Sequence, residues 1–123
     1  MAMSITGIKI KRIYDTYQKD DGYRILVDRI WPRGLTKDAA KVDLWLKDIA
    51  PSTELRKWFN HDPEKWKPFQ EKYQHELRGK DELLQQLHQL QKAHRSIALL
   101  YAAKDEKHNQ AVVLKDYLAN LLK

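Results

Sequence analysis

One short apolar segment constrains the fold of this chain more than any other feature. Residues 96–102 read Ser-Ile-Ala-Leu-Leu-Tyr-Ala, a nearly all-apolar run bounded by polar residues. This pattern is typical of a central strand that is covered on both faces. Apolar residues at helical spacing lie on both sides of it, at 83–94 and at 109–122. The sequence therefore predicts an α/β fold, with a small mixed, mostly parallel sheet and helices packed on it.

Two further strands are predicted near the start of the chain. Residues 8–14 alternate apolar and basic side chains, as an edge strand does, and residues 23–30 are rich in β-branched and aromatic side chains. A turn at Asp20-Asp21-Gly22 separates the two segments. The gap is short for a helical crossover, which favours an antiparallel pair; a parallel arrangement with a short excursion is the alternative. Residues 42–49 are predicted to form a short strand or an extended segment before Pro51.

The middle of the chain carries start and stop signals for helices. Ser52 is a typical N-cap residue, and Asp62-Pro63 is a second helix start, with aspartate as the cap and proline at the first helical position. Pro68 removes an N–H that a continuous helix would need, so either the helix kinks there or a single turn is followed by a new helix that starts at Pro68. Gly79 interrupts the helical pattern next.

Length and composition favour one soluble domain. The chain has 123 residues, of which 42% are hydrophobic, so residues 1–123 are predicted to form a single domain, with residues 1–7 disordered. There is no cysteine, which excludes disulfides, thiolate metal sites and cysteine nucleophiles. No apolar run approaches the roughly 20 residues of a membrane span. The first residues do not resemble an export signal, and a cytoplasmic protein with no membrane partner is expected.

The charge pattern favours a local anion site over a nucleic-acid surface. The net charge is +6, from 23 basic and 17 acidic residues, and the excess is spread along the chain without a basic tail or stripe. Nucleic-acid binders usually concentrate their positive charge on one face. The five histidines lack the convergent spacing of metal ligands, so neither a metal nor a cofactor is predicted.

The densest group of candidate functional residues follows the second predicted strand. The segment reads Asp28-Arg29-Ile30-Trp31-Pro32-Arg33-Gly34. Guanidinium groups near a core need a paired carboxylate or a bound anion. In the functional interpretation, Arg29 and Arg33 grip an anion bidentately, while Asp28 orients an arginine or acts as a base. In the structural interpretation, both arginines pair with Asp28 and other carboxylates to fasten a turn, with Trp31 packed over them.

Other candidates follow other predicted strands. If the strands are parallel, their carboxyl ends share one edge of the sheet, where open α/β sheets bind ligands. The residues expected there, besides Arg29 and Arg33, are Ser52, Arg56, Lys104 and Asn109. Asp28 and Lys104 are the candidates for proton transfer. Each has a structural alternative: Ser52 and Asn109 are natural helix caps, and Lys104 can close a strand end by reaching a carboxylate.

Three motifs together resemble one known family. They are the segments 22–34 (Gly-Tyr-Arg-Ile-Leu-Val-Asp-Arg-Ile-Trp-Pro-Arg-Gly), 51–59 (Pro-Ser-Thr-Glu-Leu-Arg-Lys-Trp-Phe) and 99–105 (Leu-Leu-Tyr-Ala-Ala-Lys-Asp), the last followed by His108-Asn109. They closely resemble the YeaO-like proteins, domain-of-unknown-function family 488, and the resemblance runs from about residue 11 to residue 118. It implies a single α/β domain of the bacterial cytoplasm and no established activity, substrate or cofactor.

The predicted function is therefore the binding of an anionic small molecule, a nucleotide or phosphorylated metabolite, in a basic pocket at the strand ends. Whether a reaction follows is left open. The alternative is a nucleic-acid-associated or regulatory interaction domain that uses the overall positive charge.

Overall fold

A four-stranded parallel sheet forms the centre of the computed structural model, which describes residues 7–121. The strands are β1 (Ile8–Arg12), β2 (Tyr23–Leu26), β3 (Leu44–Trp45) and β4 (Ile97–Tyr101), in the order β1-β4-β2-β3. The first six of the seven residues expected to be disordered lie outside the described part. Gly7 is buried, and its carbonyl accepts a hydrogen bond of 2.8 Å from the Ile97 N–H.

The last strand in sequence lies between the first two. β4 pairs in parallel with β1, in the register Ile8 to Ile97, and with β2, in the register Tyr23 to Ile97. All five of its residues are buried, so the predicted central strand is confirmed. The favoured antiparallel pairing of the first two strands is wrong. An apolar strand needs partners on both edges, and β4 pairs with β1 on one edge and with β2 on the other. It therefore occupies the edges of β1 and β2 that a hairpin would have joined directly.

A short excursion carries the chain from β1 over to β2, and buried charges hold it in place. Asp21 in the 3-10 turn Lys19–Asp21 accepts hydrogen bonds from Arg24 Nη1 at 2.6 Å and from Lys11 Nζ at 3.1 Å. Gly22 follows with a φ of 77°, and a Cβ on it would overlap the carbonyl oxygen of Ser96. Only glycine fits this conformation and this close approach.

Five helices occur within residues 7–121: α1 (Lys37–Ala40), α2 (Thr53–Phe59), α3 (Trp66–Leu77), α4 (Asp81–His94) and α5 (Gln110–Leu121). Two further 3-10 turns span Lys47–Ile49 and Pro63–Lys65. Asp62 caps the turn at Pro63, and α3 then begins at Trp66, which places Pro68 in its first turn. Since first-turn N–H groups have no partner within their helix, Pro68 costs no hydrogen bond. A single turn is followed by a new helix, as the second alternative predicted, but that helix begins at Trp66 and not at Pro68.

The sheet is buried on both faces. Ile97, Leu99 and Tyr101 of β4 point into the main core, which the sheet shares with α2, α3, α4 and α5. Ala98 and Leu100 face a smaller core on the opposite side. A single α/β architecture is therefore confirmed, with every strand pair parallel rather than mixed. No helix in the described part of the chain is long and apolar enough to cross a membrane.

Candidate functional site

A cavity of about 550 Å³ lies at the edge of the sheet where β2 and β4 end. Its walls come mainly from residues 28–33 after β2, 50–61 around α2, 102–103 after β4 and 108–110 at the start of α5. The carboxyl ends of parallel strands are where open α/β sheets bind ligands. The parallel sheet thus brings together four sequence-predicted residues in one wall: Asp28, Arg29, Arg33 and Arg56. Asn109 joins them from the start of α5.

Asp28 ties the ends of the two central strands together. Its Oδ2 accepts a hydrogen bond of 2.9 Å from the Ala102 N–H, and its Oδ1 accepts one from the Gln110 side-chain amide. Its own carbonyl accepts a 2.8 Å bond from the Trp45 indole. The carboxylate is therefore fixed in the cavity wall by two neighbouring segments, and the Asp28 backbone is held by a third.

Burial raises the pKa of Asp28 from 3.8 to about 6. Removal from water penalises the ionised form, and this outweighs the opposing effects of the Ala102 N–H, the Gln110 amide and the charge of Arg56. Within residues 7–121, no basic side chain forms a salt bridge with Asp28. The carboxyl group is thus held in the wall by neutral donors only.

Arg29 donates its hydrogen bonds to backbone carbonyls of the cavity wall. Its Nε donates to the Pro51 carbonyl at 2.9 Å, and its Nη2 donates to the Ala50 carbonyl at 3.0 Å. The carboxylate partners of the structural interpretation are therefore wrong for Arg29, because backbone carbonyls take their place. Trp31 does not cover the arginines by stacking; it donates to the Leu35 carbonyl at 2.7 Å.

Two more donors hold the same stretch of backbone. Lys80 Nζ donates to the Asp48 carbonyl at 2.7 Å and to the Ala50 carbonyl at 3.0 Å, and the Tyr73 hydroxyl donates to the Ile49 carbonyl at 2.7 Å. Desolvation lowers the pKa of Lys80 from its usual value. The carbonyl oxygens on this side of the cavity therefore already accept hydrogen bonds from the protein.

Arg33 and Arg56 present cations that the protein does not neutralise. Both are exposed and line the cavity, and neither side chain has a hydrogen bond or salt bridge to any residue in the described range. Lys57 lines it beside them. The loop that carries Arg33 is held in place, because the backbone carbonyl of Arg33 accepts a 2.9 Å hydrogen bond from the Tyr14 hydroxyl. These guanidinium groups are available to an anion from solution.

Ser52 and Lys104 lie outside this cavity wall. Ser52 is the N-cap of α2, as its structural alternative predicted: its Oγ accepts the Leu55 N–H at 3.1 Å and donates to Glu76 at 2.6 Å. It borders a separate surface groove beside Trp58. Lys104 is exposed and makes no contact with a carboxylate of residues 7–121.

Asn109 begins α5 and is almost fully buried. Its Oδ1 accepts the Val112 N–H at 3.2 Å, and its Nδ2 donates to the Asp105 carbonyl at 2.9 Å. It reaches the cavity, but the polar atoms of its side chain are engaged in capping the helix, which is the structural alternative predicted for it.

A histidine that sequence reasoning passed over also faces the cavity. His108 Nδ1 lies 2.8 Å from Asp105 Oδ2, and the ring edge packs against Trp66 at 5.1 Å. Hydrogen bonds from the Lys107 N–H and from His108 hold the pKa of Asp105 below its usual value. The spacing of three residues between the carboxylate and the histidine, directly before a helix, is the signal that could have found this pair.

Aromatic side chains form the apolar part of the wall. Phe59 and Phe69 stack with their ring centroids 4.2 Å apart, and both are buried in the main core while also reaching the cavity. Tyr14 lines the mouth and is 42% exposed. The cavity lining thus combines exposed cationic side chains, a carboxylate with neighbouring amides, and apolar aromatic rings.

The fold and the site together define a small parallel α/β domain with a cation-lined cavity at its strand ends. The chain belongs to the DUF488 family: the family described as "Inactive DUF488-N3 subclade" matches residues 7–123, which confirms the resemblance. The uncharacterized protein YeaO of Escherichia coli (strain K12) is 44% identical over 115 residues, which span 94% of this chain and 99% of that protein. No solved structure matches.

Uncharacterized proteins of Mycobacterium bovis and Mycobacterium tuberculosis are 50% identical to this chain over 72 residues. The match covers 58% of this chain and 61% of each mycobacterial protein. The names of these relatives state no activity, so function is argued from the site.

Proposed function

We propose that this protein binds a small anionic ligand, a nucleotide or phosphorylated metabolite, in the cavity at the strand ends, as a protein of the bacterial cytoplasm. The observation that carries the proposal is the pair Arg33 and Arg56. Both guanidinium groups line one cavity and have no hydrogen-bond or salt-bridge partner among the described residues. Guanidinium forks match phosphate and carboxylate geometry and bind them through two parallel hydrogen bonds.

The size and shape of the cavity support a small molecule. Ligand pockets commonly measure about 300–1,000 Å³ and combine apolar walls with a few polar groups. A cavity of about 550 Å³ lies in this range, and Phe59 and Phe69 supply apolar wall. Arg29 contributes by holding the Ala50 and Pro51 carbonyls, so its role in the proposal is to fix the wall rather than to grip the anion.

Binding without turnover is the form of the proposal that fits the comparisons. The matching subclade carries the word "inactive" in its description. The two candidates for proton transfer were Asp28 and Lys104. Lys104 is not part of the cavity wall, so only Asp28 of these two lies in the cavity. We therefore assign Asp28 to ligand recognition.

The test compares anion binding between two double variants of equal charge. Arg33→Gln/Arg56→Gln removes both cations of the cavity. Lys19→Gln/Lys92→Gln removes two exposed cations that precede β2 and β4, at the opposite edge of the sheet. Isothermal titration with inorganic phosphate, ribose 5-phosphate and AMP measures the affinity, and thermal shift detects binding by mass action.

We expect at least one phosphorylated probe to bind the wild type, and its affinity to fall at least about tenfold in the cavity variant, since hydrogen bonds to charged groups are worth about 1.5–3 kcal/mol. The control variant should bind as the wild type does. Equal losses in both variants, with a steep dependence on salt, would instead indicate a diffuse electrostatic surface for nucleic acid and would refute the proposal.

A further inference from the structure

The cavity contains a carboxylate that an anion-binding site would not need. Asp28 lies in the same wall as Arg33 and Arg56, and an ionised carboxylate repels a bound phosphate. Arg56 is near enough for its charge to act on Asp28. A ligand that consisted of an anion alone would gain nothing from this carboxylate and would lose part of the attraction of the arginine.

Asp28 has acceptor capacity to spare. A carboxylate offers about four lone-pair sites. The Ala102 N–H and the Gln110 amide each occupy one, on different oxygens. Since no salt bridge within residues 7–121 involves Asp28, its remaining sites in the cavity wall have no donor from the described protein. With a pKa of about 6, the group is ionised at neutral pH and can only accept hydrogen bonds.

The position of the arginines decides what kind of donor fits. An ammonium group on Asp28 would lie within the field of Arg56, which disfavours a second cation there. A hydroxyl group donates a hydrogen bond without adding charge. The two functions also require some length in the ligand, because the anion must contact the arginines while the donor contacts Asp28.

We infer that the ligand is a phosphorylated polyol, either a sugar phosphate or a nucleotide, whose phosphate binds Arg33 and Arg56 and whose hydroxyl group donates a hydrogen bond to Asp28. The inference rests on the proposed function and specifies its ligand class. It separates this class from bare phosphate and from phosphate esters that lack free hydroxyls. Asp28 is the residue that makes this distinction.

The test uses pairs of probes that differ only in hydroxyl groups. AMP is compared with its 2′,3′-dideoxy analogue, and ribose 5-phosphate with 2-deoxyribose 5-phosphate, by isothermal titration near pH 8, where Asp28 is ionised. Each pair is measured with the wild type, Asp28→Asn and Asp116→Asn. The last variant removes an exposed carboxylate of α5 and controls for the change of one charge. The nucleotide and sugar arms show which source supplies the polyol.

We expect loss of the hydroxyls to weaken binding of the better probe by about tenfold or more in the wild type, the size of a hydrogen bond to a charged group. In Asp28→Asn, removing the hydroxyls from the probe should reduce the affinity clearly less, because the charged acceptor is gone. Asp116→Asn should behave as the wild type. The comparison within the wild type needs no variant, so it stands even if Asp28→Asn folds poorly.

The two ways of failing are distinct. If both members of each pair bind the wild type equally, and binding still depends on Arg33 and Arg56, the inference is overturned while the proposed function stands. If no probe binds, or binding ignores both arginines, the proposed function fails and the inference fails with it.

Discussion

Replacing Asp28 by asparagine should stabilise the folded protein at neutral pH. The carboxylate is desolvated in the cavity wall and is held by two neutral donors. In Asp28→Asn the side-chain oxygen keeps the Ala102 N–H, and a rotated Gln110 amide can accept from the new NH₂ group. The variant therefore keeps the two hydrogen bonds of this side chain and removes the buried charge, and only the long 3.4 Å bond from Gln110 Nε2 to the Val27 carbonyl is lost.

The size of the effect follows from the pKa of Asp28. A carboxyl group with a pKa of 3.8 when unfolded and about 6 when folded binds its proton more tightly in the folded state. Its contribution to stability is present at low pH and is lost as pH rises through about 6. The full difference is about 3 kcal/mol, of which about 2 kcal/mol falls between about pH 4.5 and about pH 7.5. The lowered pKa values of Asp21 and Asp105 act below this window.

Urea unfolding followed by tryptophan fluorescence measures this directly. The free energy of unfolding of Asp28→Asn minus that of the wild type should increase by about 2 kcal/mol from about pH 4.5 to about pH 7.5. Groups common to both proteins cancel in this difference. A difference that stays constant with pH would refute the argument that Asp28 carries an uncompensated charge.

Three further substitutions test how the fold is held. Gly22→Ala should lower the free energy of unfolding by at least about 3 kcal/mol, because a Cβ would overlap Ser96. Gly34 has the same φ of 77° but open space around it, so Gly34→Ala should cost only the backbone strain of about 1 kcal/mol. Similar urea midpoints for the two variants would contradict the steric argument. Tyr73→Phe should cost about 1–2 kcal/mol in urea unfolding because it leaves the buried Ile49 carbonyl without its donor, and an unchanged midpoint would show that this hydrogen bond contributes no net stability.

Local patterns predicted much of the fold. The apolar segment 96–102 predicted β4 and its central place, because only a strand covered on both faces can bury every side chain. Ser52 and Asp62 predicted caps through residue type alone, and both form them. The position of β1 relative to β2 could not be predicted in the same way. It depends on which strand fills the space between them, and β4 is about seventy residues away in sequence.

The site was predicted in part, for a similar reason. Asp28, Arg33 and Arg56 were found from their place after strands, and the parallel sheet brings them into one wall. Arg29 shows the limit of that reasoning, because nothing in its sequence neighbourhood indicates that the carbonyls of Ala50 and Pro51 will take its donors. His108 was not predicted as a site residue because its contact with the cavity depends on where α5 begins.

The placement of β4 has a consequence for how the chain acquires its structure. β1 meets the sheet only through β4, and β2 has no other main-chain partner than the two-residue strand β3, so the four-stranded sheet cannot form until residues 97–101 have been made. A ribosome that has produced only the first half of the protein holds two apolar segments with open edges, which are prone to aggregation. Sheet assembly must therefore wait for late synthesis, and any fragment that stops before residue 97 will lack an ordered sheet.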